Sequence, residues 1–448
     1  MKQTKAIAVR VAAFWGIFAL LLYPVTRVFA HYPDYRSYHT IGGFYKEKPN
    51  QLDAIYLGSS NCYAFWNALV AWHNYGLTVY PYASPAQPFY ATEYLIRETR
   101  KTQPNARFIV SVNSVEADDL EACASHYLLN YMPESEEKQA LTEYLSDLMD
   151  YSRLDRLEFR FPWLRIRELW YDRLKNGPLP EMDGLMGACT YPDYLYGYED
   201  ISEKYLLTDQ RTPVPDDLVE ATQNLLDYCD EAGVEVLFVS VPRAEKTGET
   251  MGRINTVCDI IRERGYEVLD LSDQTAAFGL DLTQDYYNTK HTNIHGSVKF
   301  TDGLCKWLMN RYDGLKDKRG DAAYAEWDDA WARYADIAMP WLLDIELDAA
   351  HRDWALPAPG DLKATAADGG ALIRWTAAQG AEGYSVYRKA GDDGNWTRLA
   401  DTAETEYEDA AGAPEGECRY TVVPWRTSAG ETFYGNFLYD GVAPESLS

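Results

Sequence analysis

The sequence predicts an α/β protein in which a doubly wound parallel sheet is followed by a smaller β-sandwich. Short apolar runs at 53–58, 77–82 and 107–112 alternate with helical patterns, and the same alternation returns after about residue 225. This alternation is typical of a parallel sheet covered by helices on both faces. Beyond residue 360, short runs of period two are separated by Gly, Asp and Pro, which predicts antiparallel strands.

The composition fits two or three globular domains. The chain has 448 residues, of which 46% are hydrophobic and 25% charged, which argues against wholesale disorder and against a multi-span membrane protein. The chain has 42 Lys and Arg and 69 Asp and Glu, which gives a net charge of −27. This charge repels phosphate backbones, so no nucleic-acid partner is expected. The seven cysteines are widely spaced and include no C-x-x-C pair, so neither a zinc knuckle nor a dense disulfide framework is expected. No cofactor is expected either.

The N-terminus has a basic segment followed by an apolar one. Lysines and an arginine precede an uncharged run from 11 to 26. We expect residues 1–30 to be a signal anchor that ties the protein to the cell membrane and leaves the rest outside the cytoplasm. The alternative is a signal peptide cleaved near Ala30, after which the protein would be secreted.

The α/β domain is expected over 31–355, in two halves. The second half contributes strands at 234–241 and 266–271 and a closing helix at 295–312. Between the halves, about 120–215 is predicted to be an insertion with an acidic helix, an Arg- and aromatic-rich stretch and a Tyr- and Gly-rich segment. Insertions of this size commonly cover a substrate cleft.

A linker rich in Pro and Ala at 356–360 precedes a second module at 361–448, which is expected to be a β-sandwich. Its aromatic residues resemble those of a fibronectin type III domain in their positions along successive strands: Trp375, Tyr384, Tyr387 and Tyr420. The resemblance implies a spacer or docking module, since such domains seldom carry chemistry. Direct glycan binding is the alternative.

Two segments bring reactive side chains to the predicted carboxyl edge of the sheet, where open α/β sheets bind their ligands. The first strand ends in Gly58-Ser59-Ser60, and a helix follows at once. Far downstream, His291 stands just before the closing helix. A hydroxyl beside an imidazole is the minimum for nucleophilic acyl transfer, because the hydroxyl needs a base as it attacks. Helix capping is the structural alternative for the serine.

These segments resemble the first and last blocks of the SGNH hydrolase (GDSL-like) superfamily. Gly58-Ser59-Ser60 matches the Gly-Asp-Ser block with Ser59 in the Asp place, and His291 with Gly296 matches the last block. The resemblance implies an SGNH-like, flavodoxin-like sheet with Ser60 as nucleophile and His291 as base. Within this superfamily, the chain is similar to the cell-surface branch that includes teichoic-acid D-alanylation and alginate O-acetylation proteins. This similarity implies an acylated cell-envelope polysaccharide or polymer as substrate and a membrane-bound acyltransferase as partner.

The sequence departs from the family where the third catalytic group is expected. Asn288 stands three residues before His291, where the family has Asp. An amide orients an imidazole but supplies no charge to stabilise imidazolium. Either Asp285 is the acid, which we favour, or the enzyme uses a Ser-His dyad with Asn288 as the orienting group.

The oxyanion blocks are also altered. No Gly follows the second strand, so an amide of Ala83 or Ser84 would take its place, and Asn113 after the third strand would stand for the Asn of the third block. Together with the amide of Ser60, these are the oxyanion candidates. A turn that closes the strand is the alternative role for Asn113.

Two further side chains lie near this edge in the predicted fold. Arg243 follows the strand at 234–241 and is a candidate to bind an anionic group of the substrate, with a surface salt bridge as the alternative. His295 lies four residues after His291, but no third ligand with zinc spacing accompanies the pair, so no metal site is expected.

We therefore expect an extracytoplasmic serine esterase or O-acyltransferase acting on acyl groups of a cell-envelope glycan or polymer. The alternative is a catalytically inactive SGNH-like scaffold or adhesion protein that uses the fibronectin-like module, which the altered Gly and Asp blocks favour. A hydrogen bond between Ser60 Oγ and a His291 nitrogen would favour the enzyme.

Overall fold

The structure of the protein is a computed structural model. It describes residues 2–29, 35–116, 122–160, 164, 184–189, 208–244, 247–275, 277–280, 285–347, 356–367, 370–390, 396–410, 418–428, 431–435, 437–438 and 440–445. Ala30, most of the Arg- and aromatic-rich stretch and nearly all of the Tyr- and Gly-rich segment therefore lie outside the described residues.

A five-stranded parallel sheet forms the centre of the α/β domain and confirms the predicted class. Its strands are β1 Ala54–Gly58, β2 Val79–Ala83, β3 Arg107–Ser111, β4 Val236–Ser240 and β5 Val268–Asp270. The order β2-β1-β3-β4-β5 places a topological switch between β1 and β3, because the chain leaves β1 on one side for β2 and on the other for β3. Every residue of β1 and β2 is buried, as expected for strands covered on both faces.

Helices accompany the sheet along the chain. They are α1 Lys2–Phe29, α2 Tyr35–Phe44, α3 Ser60–Phe65, α4 Ala68–Tyr75, α5 Thr92–Arg100, α6 Ala122–Leu129, α7 Glu136–Leu148, α8 Arg153–Arg160, α9 Asp216–Ala232, α10 Gly248–Glu263, α11 Ile294–Arg311 and α12 Ala325–Leu347. The acidic helix expected in the insertion is α7, and the expected closing helix is α11. The single helix expected after β1 is divided, because the Asn67 side chain accepts from the amides of Leu69 and Val70 and begins α4 anew.

The N-terminal segment forms α1. Within the described ranges, however, no helix combines the length and the apolar character that a membrane crossing requires, so the predicted signal anchor is not supported.

A short hairpin precedes α11 and carries the predicted catalytic histidine. It consists of β6 Tyr286–Asn288 and β7 His291–Thr292, with Asn288 paired to His291 and a register irregularity between Tyr286 and Asn288. The backbone amide of Asn293 donates to the carbonyl of Asp285 at 2.9 Å, which closes the hairpin at its base.

The C-terminal module is built from strands, as predicted. They are β8 Gly360–Ala367, β9 Gly370–Thr376, β10 Gly383–Ala390, β11 Thr397–Thr402, β12 Glu406–Asp409, β13 Cys418–Ser428, β14 Glu431–Tyr434 and β15 Pro444–Glu445. Two four-stranded sheets, β11-β10-β13-β14 and β12-β9-β8-β15, are antiparallel except for the parallel β8–β15 pair. Trp375 packs edge-on against Tyr384 with ring centroids 5.3 Å apart, and the Tyr420 hydroxyl donates to Asp409 Oδ2 at 2.8 Å.

Residues on both faces of β10 and β13 are buried. Val386 and Val422 point into the core of the module. The alternate residues Tyr387 and Val423 belong to an apolar cluster that also contains side chains of the α/β domain, among them Leu308 of α11. The period of two in these strands thus supplies two apolar faces.

Candidate active site

Ser60 lies just after the carboxyl end of β1, where the helix α3 begins. Gly58 ends the strand against β3, where a Cβ would lie 2.7 Å from Ser111 Cβ, so the close approach of the two strands leaves no room for a side chain. Ser59 is the N-cap of α3, but its side chain makes no capping hydrogen bond. Ser60 is the first residue of α3, and its side chain is half-buried beside the switch point.

The Ser60 hydroxyl meets the predicted histidine. Ser60 Oγ and His291 Nε2 are 2.7 Å apart, although the two residues are 231 positions apart in the sequence. The distance lies within the range of a catalytic hydroxyl–imidazole hydrogen bond. The structure thus brings together the two segments that the sequence analysis paired.

Asn288 orients the histidine. Its Oδ1 accepts from the backbone amides of Lys290 at 2.9 Å and His291 at 3.0 Å, and it lies 2.9 Å from His291 Nδ1. Because two amide donors identify this atom as the carbonyl oxygen, Nδ1 carries the proton and donates. Nε2 is then unprotonated and accepts from the Ser60 hydroxyl, which is the tautomer that a general base requires.

The surroundings of His291 keep its imidazole neutral. Burial, and after it the positive charges of Arg243, Arg36 and Lys290, lower the pKa of His291 from 6.5 to about 4. Burial disfavours the charged form, and nearby cations do the same. At neutral pH the imidazole is therefore ready to accept a proton.

Asp285 has a different position from the one expected of a triad acid. Its side chain is completely buried, and Oδ1 pairs with His295 Nδ1 at 2.5 Å while Oδ2 pairs with Lys299 Nζ at 2.8 Å. Asp285 lies at the base of the hairpin, whereas His291 faces Asn288 across it. The expectation that favoured Asp285 is thus corrected: the contact to Nδ1 comes from Asn288.

Asn113 lies beyond β3, in a 3-10 turn over Val112–Glu116, and is buried. Its Oδ1 accepts from the backbone amide of Val241 at 2.9 Å. Because the carbonyl oxygen is engaged there, the NH₂ group is the end of the side chain that can donate to a ligand. The nearby amide of Ser59 donates to Ser114 Oγ at 3.0 Å, whereas the Ser60 amide belongs to the first turn of α3, where backbone donors lack intrahelical partners.

The second-block candidates lie next to β1. Ala83 is in register with Gly58, and its carbonyl accepts from Thr40 Oγ1 of α2. Ser84 is fully buried and its hydroxyl donates to Gln87 Oε1 at 3.3 Å. Their main-chain amides remain oxyanion candidates, whereas the Ser84 hydroxyl is engaged in a hydrogen bond within its own turn.

Arg243 is not a surface residue. Only 4% of it is exposed, and its Nη1 lies 2.5 Å from Glu116 Oε2, at the end of the turn that carries Asn113. A buried cation is held in place by such a pair. Its positive charge is one of the causes that lower the pKa of His291.

Several residues of the site were not identified from the sequence. Lys299 holds Asp285, Glu116 holds Arg243, and Arg36 adds a charge from α2; His295, which the sequence analysis considered only as a metal ligand, also holds Asp285. The spacing of His295 and Lys299, one helical turn apart, is a signal for a shared partner. The sequence around Arg36 shows no pattern that predicts a helix or a strand, so nothing in the sequence indicated that this residue lies at the site.

No protein-family model and no curated protein matches this chain. Among solved structures, an Fn3-like protein from Clostridium thermocellum is 24% identical, with 21% of this chain and 96% of that chain covered and a TM-score of 0.18. The structure of an FN3tt mutant is 19% identical, with 20% and 92% covered and a TM-score of 0.17. A β-1,2-glucanase from Parabacteroides distasonis is 21% identical, with 21% and 13% covered and a TM-score of 0.17.

TM-scores this low carry no argument. The share of this chain that is covered amounts to about a fifth in each case. The resemblance of the α/β domain to SGNH hydrolases remains a prediction from its residues.

Proposed function

We propose that the chain is a serine-dependent esterase or O-acyltransferase of the SGNH-like type. The observation that supports this most strongly is the 2.7 Å contact between Ser60 Oγ and His291 Nε2, with the tautomer of His291 set by Asn288. A serine that serves only as a helix cap needs no imidazole partner. A cap would instead donate or accept within its own helix turn.

The proposed reaction has two halves. Ser60 Oγ attacks the acyl carbonyl as His291 Nε2 takes its proton, and the tetrahedral oxyanion is held by the Ser60 amide and the Asn113 amide group. The C–O bond to the alcohol then breaks, and His291 returns the proton to the departing oxygen. Water or a second alcohol repeats these steps in reverse, which frees Ser60 and releases an acid or a new ester.

The substrate that we propose is an O-acyl group on a cell-envelope glycan or polymer, with the enzyme outside the cytoplasm. This rests on the resemblance of the LGSS segment and the basic-apolar N-terminus to the cell-surface branch of the family. A membrane-bound acyltransferase partner belongs to the same proposal. The competing proposal is an inactive scaffold, and the amide of Asn288 in place of a carboxylate favours it.

Labelling with a fluorophosphonate probe tests the activity. Such probes phosphonylate serines that a neighbouring base activates, so we expect labelling of the parent and none of Ser60→Ala or His291→Ala. Ser59→Ala is the matched control and should keep the label, because it removes a buried neighbouring hydroxyl but not the one that His291 contacts. A folded parent that takes no label would favour the scaffold.

A further inference from the structure

A cavity of about 390 Å³ lies in the insertion, and we call it the insertion cavity. Its walls are formed mainly by side chains of α7 and α8, and neither Ser60 nor His291 lines it. The cavity is large enough for a small organic ligand, since pockets for such ligands begin at about 300 Å³. The fold therefore provides a concave site that is separate from the serine and the histidine.

The walls of the insertion cavity are held in place. The ring of Phe159 is 2% exposed and stacks on His126 with ring centroids 4.3 Å apart. Arg156 Nη2 donates to the Ser146 carbonyl at 3.1 Å and to Asp147 Oδ1 at 2.8 Å, which ties α8 to the end of α7. A ligand would therefore enter a site that is largely formed before it binds.

Ser146 lines this cavity with a hydroxyl that has no hydrogen-bond partner among the described residues, although only 1% of the residue is exposed. Helical hydroxyls commonly donate to the carbonyl four residues earlier. Thr142, one turn before Ser146, does so to the carbonyl of Lys138 at 2.6 Å. Burying a hydroxyl without a partner destabilises a fold. A ligand atom in the cavity would supply the missing partner.

Two charged side chains of the cavity, Arg160 on α8 and Glu143 on α7, make no hydrogen bond or ion pair with the part of the chain that the structure describes. The other cations of the cavity, Lys138 and Arg156, are each paired with a carboxylate. The insertion cavity thus offers a ligand one positive group, one negative group and the Ser146 hydroxyl.

These groups together suit a ligand that has a carboxylate at one end and N–H donors along its body. The guanidinium of Arg160 matches a carboxylate with two parallel N–H bonds, and the Ser146 hydroxyl adds a third donor. Glu143 accepts an N–H bond. Inorganic phosphate or a fatty acid would leave Glu143 without a donor. The C-terminus of a peptide has both a carboxylate and backbone amides.

Further donors in the cavity suit the carbonyl groups of a peptide. Lys138 Nζ donates to the Met132 carbonyl at 3.1 Å and to Glu134 Oε1 at 2.7 Å, so one of its three N–H bonds is left for a ligand. Arg156 uses Nε and Nη2 within the described residues and keeps the two donors of Nη1. Lys138 and Ser146 are two helical turns apart, about 12 Å, which three to four extended residues span.

We propose that the insertion cavity binds the C-terminus of a short peptide. Arg160 and the Ser146 hydroxyl bind its terminal carboxylate, and Glu143 accepts from a backbone amide. The inference goes beyond the proposed esterase or acyltransferase activity and does not depend on it, because the cavity shares no lining residue with the Ser60–His291 pair.

Calorimetric titration of the full chain with two matched peptides tests the proposal. The peptides are acetyl-triglycine and its C-terminal amide, which share the backbone and differ in the terminal carboxylate. We expect the Kd of the acid to be about tenfold lower, as for one charge-assisted hydrogen bond. Ser60→Ala should bind both peptides as the parent does, since Ser60 does not line the cavity.

Variants assign the two ends of the peptide. Arg160→Gln should bring the ratio of the two Kd values close to one, because it removes the charge that selects the carboxylate. Glu143→Ala should weaken both peptides about threefold and keep their ratio, because both carry the backbone amide. Arg153→Gln is the control, since this exposed arginine lies on α8 about 10 Å from Arg160 along the helix and does not line the cavity.

Ser146→Ala separates a role in binding from a role in the fold. The variant removes a buried hydroxyl that has no partner among the described residues, so the melting temperature of the chain without peptide should stay level or rise. The affinity for acetyl-triglycine should fall about threefold. A lower melting temperature with unchanged affinity would overturn the claim that this hydroxyl binds the carboxylate.

The remaining outcomes bear on the ligand itself. Equal affinity of the parent for the two peptides, or no binding of either, would overturn the proposal and leave the proposed function of Ser60 untouched. Inorganic phosphate that binds more tightly than acetyl-triglycine, and that Arg160→Gln no longer binds, would overturn it in favour of a phosphate ligand.

Discussion

In the proposed mechanism, the side chain of Asn288 determines whether His291 can act as a base toward Ser60. In a serine protease triad, exchanging the carboxylate for an amide costs about 10⁴ in turnover, because the histidine then adopts the wrong tautomer. Here two backbone amides hold Oδ1 of Asn288 toward His291, so the tautomer is the productive one. What the amide lacks is the negative charge that would stabilise the imidazolium in the transition state.

Asn288→Asp should therefore raise turnover. The same atom would keep its three donors and gain a charge beside His291, so we expect kcat for an acetyl ester to rise about tenfold and the pKa of His291 to rise with it. Asn288→Ala removes the acceptor and should lower kcat about a hundredfold. Steady-state kinetics across pH measures both changes, and a lower kcat in a well-folded Asn288→Asp would show that the amide is required for another reason.

The lowered pKa of His291 predicts an unusual acid limit for activity. In the proposed mechanism the neutral imidazole is the base, so we expect activity to be lost as pH falls through its folded pKa of about 4 and not through the 6.5 of an ordinary histidine. We expect kcat/KM to stay level from neutral pH down to about 5. A half-loss near 6.5 in the pH–rate profile would mean that the imidazole is far more exposed than in this structure.

The same shift links His291 to stability. Between pH 6.5 and about 4, the unfolded chain binds a proton at His291 that the folded chain does not. The contribution of this residue to the free energy of unfolding is therefore fully present above pH 6.5 and is lost as pH falls toward 4.

Among the secondary-structure elements, the hairpin before α11 is anchored by the buried side chain of Asp285. Asp285 joins the base of the hairpin to His295 and Lys299 of α11, and a Cβ on Gly296 would lie 2.1 Å from the Asp285 carbonyl oxygen. The hairpin and the first turn of α11 thus pack with no spare room. Because this packing holds the hairpin that carries His291, we expect Asp285 to be a positioning residue in the proposed enzyme.

Asp285→Ala should lower the stability of the fold more than it lowers the catalytic rate. Removing the carboxylate takes away the buried partner that Lys299 and His295 share, and we expect the free energy of unfolding to fall by about 2–4 kcal/mol. Asp313→Ala, at an exposed site after α11, is the control. For the milder Asp285→Asn, kcat on folded protein should fall less than tenfold, whereas a loss near 10⁴ at unchanged stability would restore Asp285 as the triad acid.

The elements that bring Ser60 and His291 together could be predicted, because each residue adjoins a strongly patterned strand or helix whose end must lie at one sheet edge. The choice between Asp285 and Asn288 could not. It depends on the irregular register of a two-strand hairpin, which pairs Asn288 with His291 and leaves Asp285 at the base. Such short strands have no periodicity that would predict their register.

At the scale of the whole molecule, the two modules share an apolar cluster. Tyr387 and Val423 of the β-module lie in the same cluster as Leu308 of the α/β domain. The sequence predicted both modules but not this contact, because the outward residues of β10 and β13 cannot be told from an exposed sheet face by their alternation alone. A module buried in this way is docked and not a free spacer.

Calorimetry tests the docking. Because shared apolar burial couples the two modules, we expect the described α/β domain and β-module to unfold in one transition. Tyr387→Asp should split this into two transitions, while Tyr407→Asp, on a strand of the other sheet, should only lower the melting temperature of the β-module. Two well-separated transitions in the parent would mean that the modules are independent.

The most direct test of the account is the position of the acyl group after a brief reaction with 4-nitrophenyl acetate. Acid quenching and peptide mapping by mass spectrometry should find one acetyl group on the peptide that contains Ser60, and none there in Ser60→Ala. His291→Ala should slow its formation by at least a thousandfold, about the loss seen when a catalytic base is removed. An acetyl group confined to lysines or to the N-terminus, at equal rates in the parent and in His291→Ala, would contradict the claim that His291 activates Ser60.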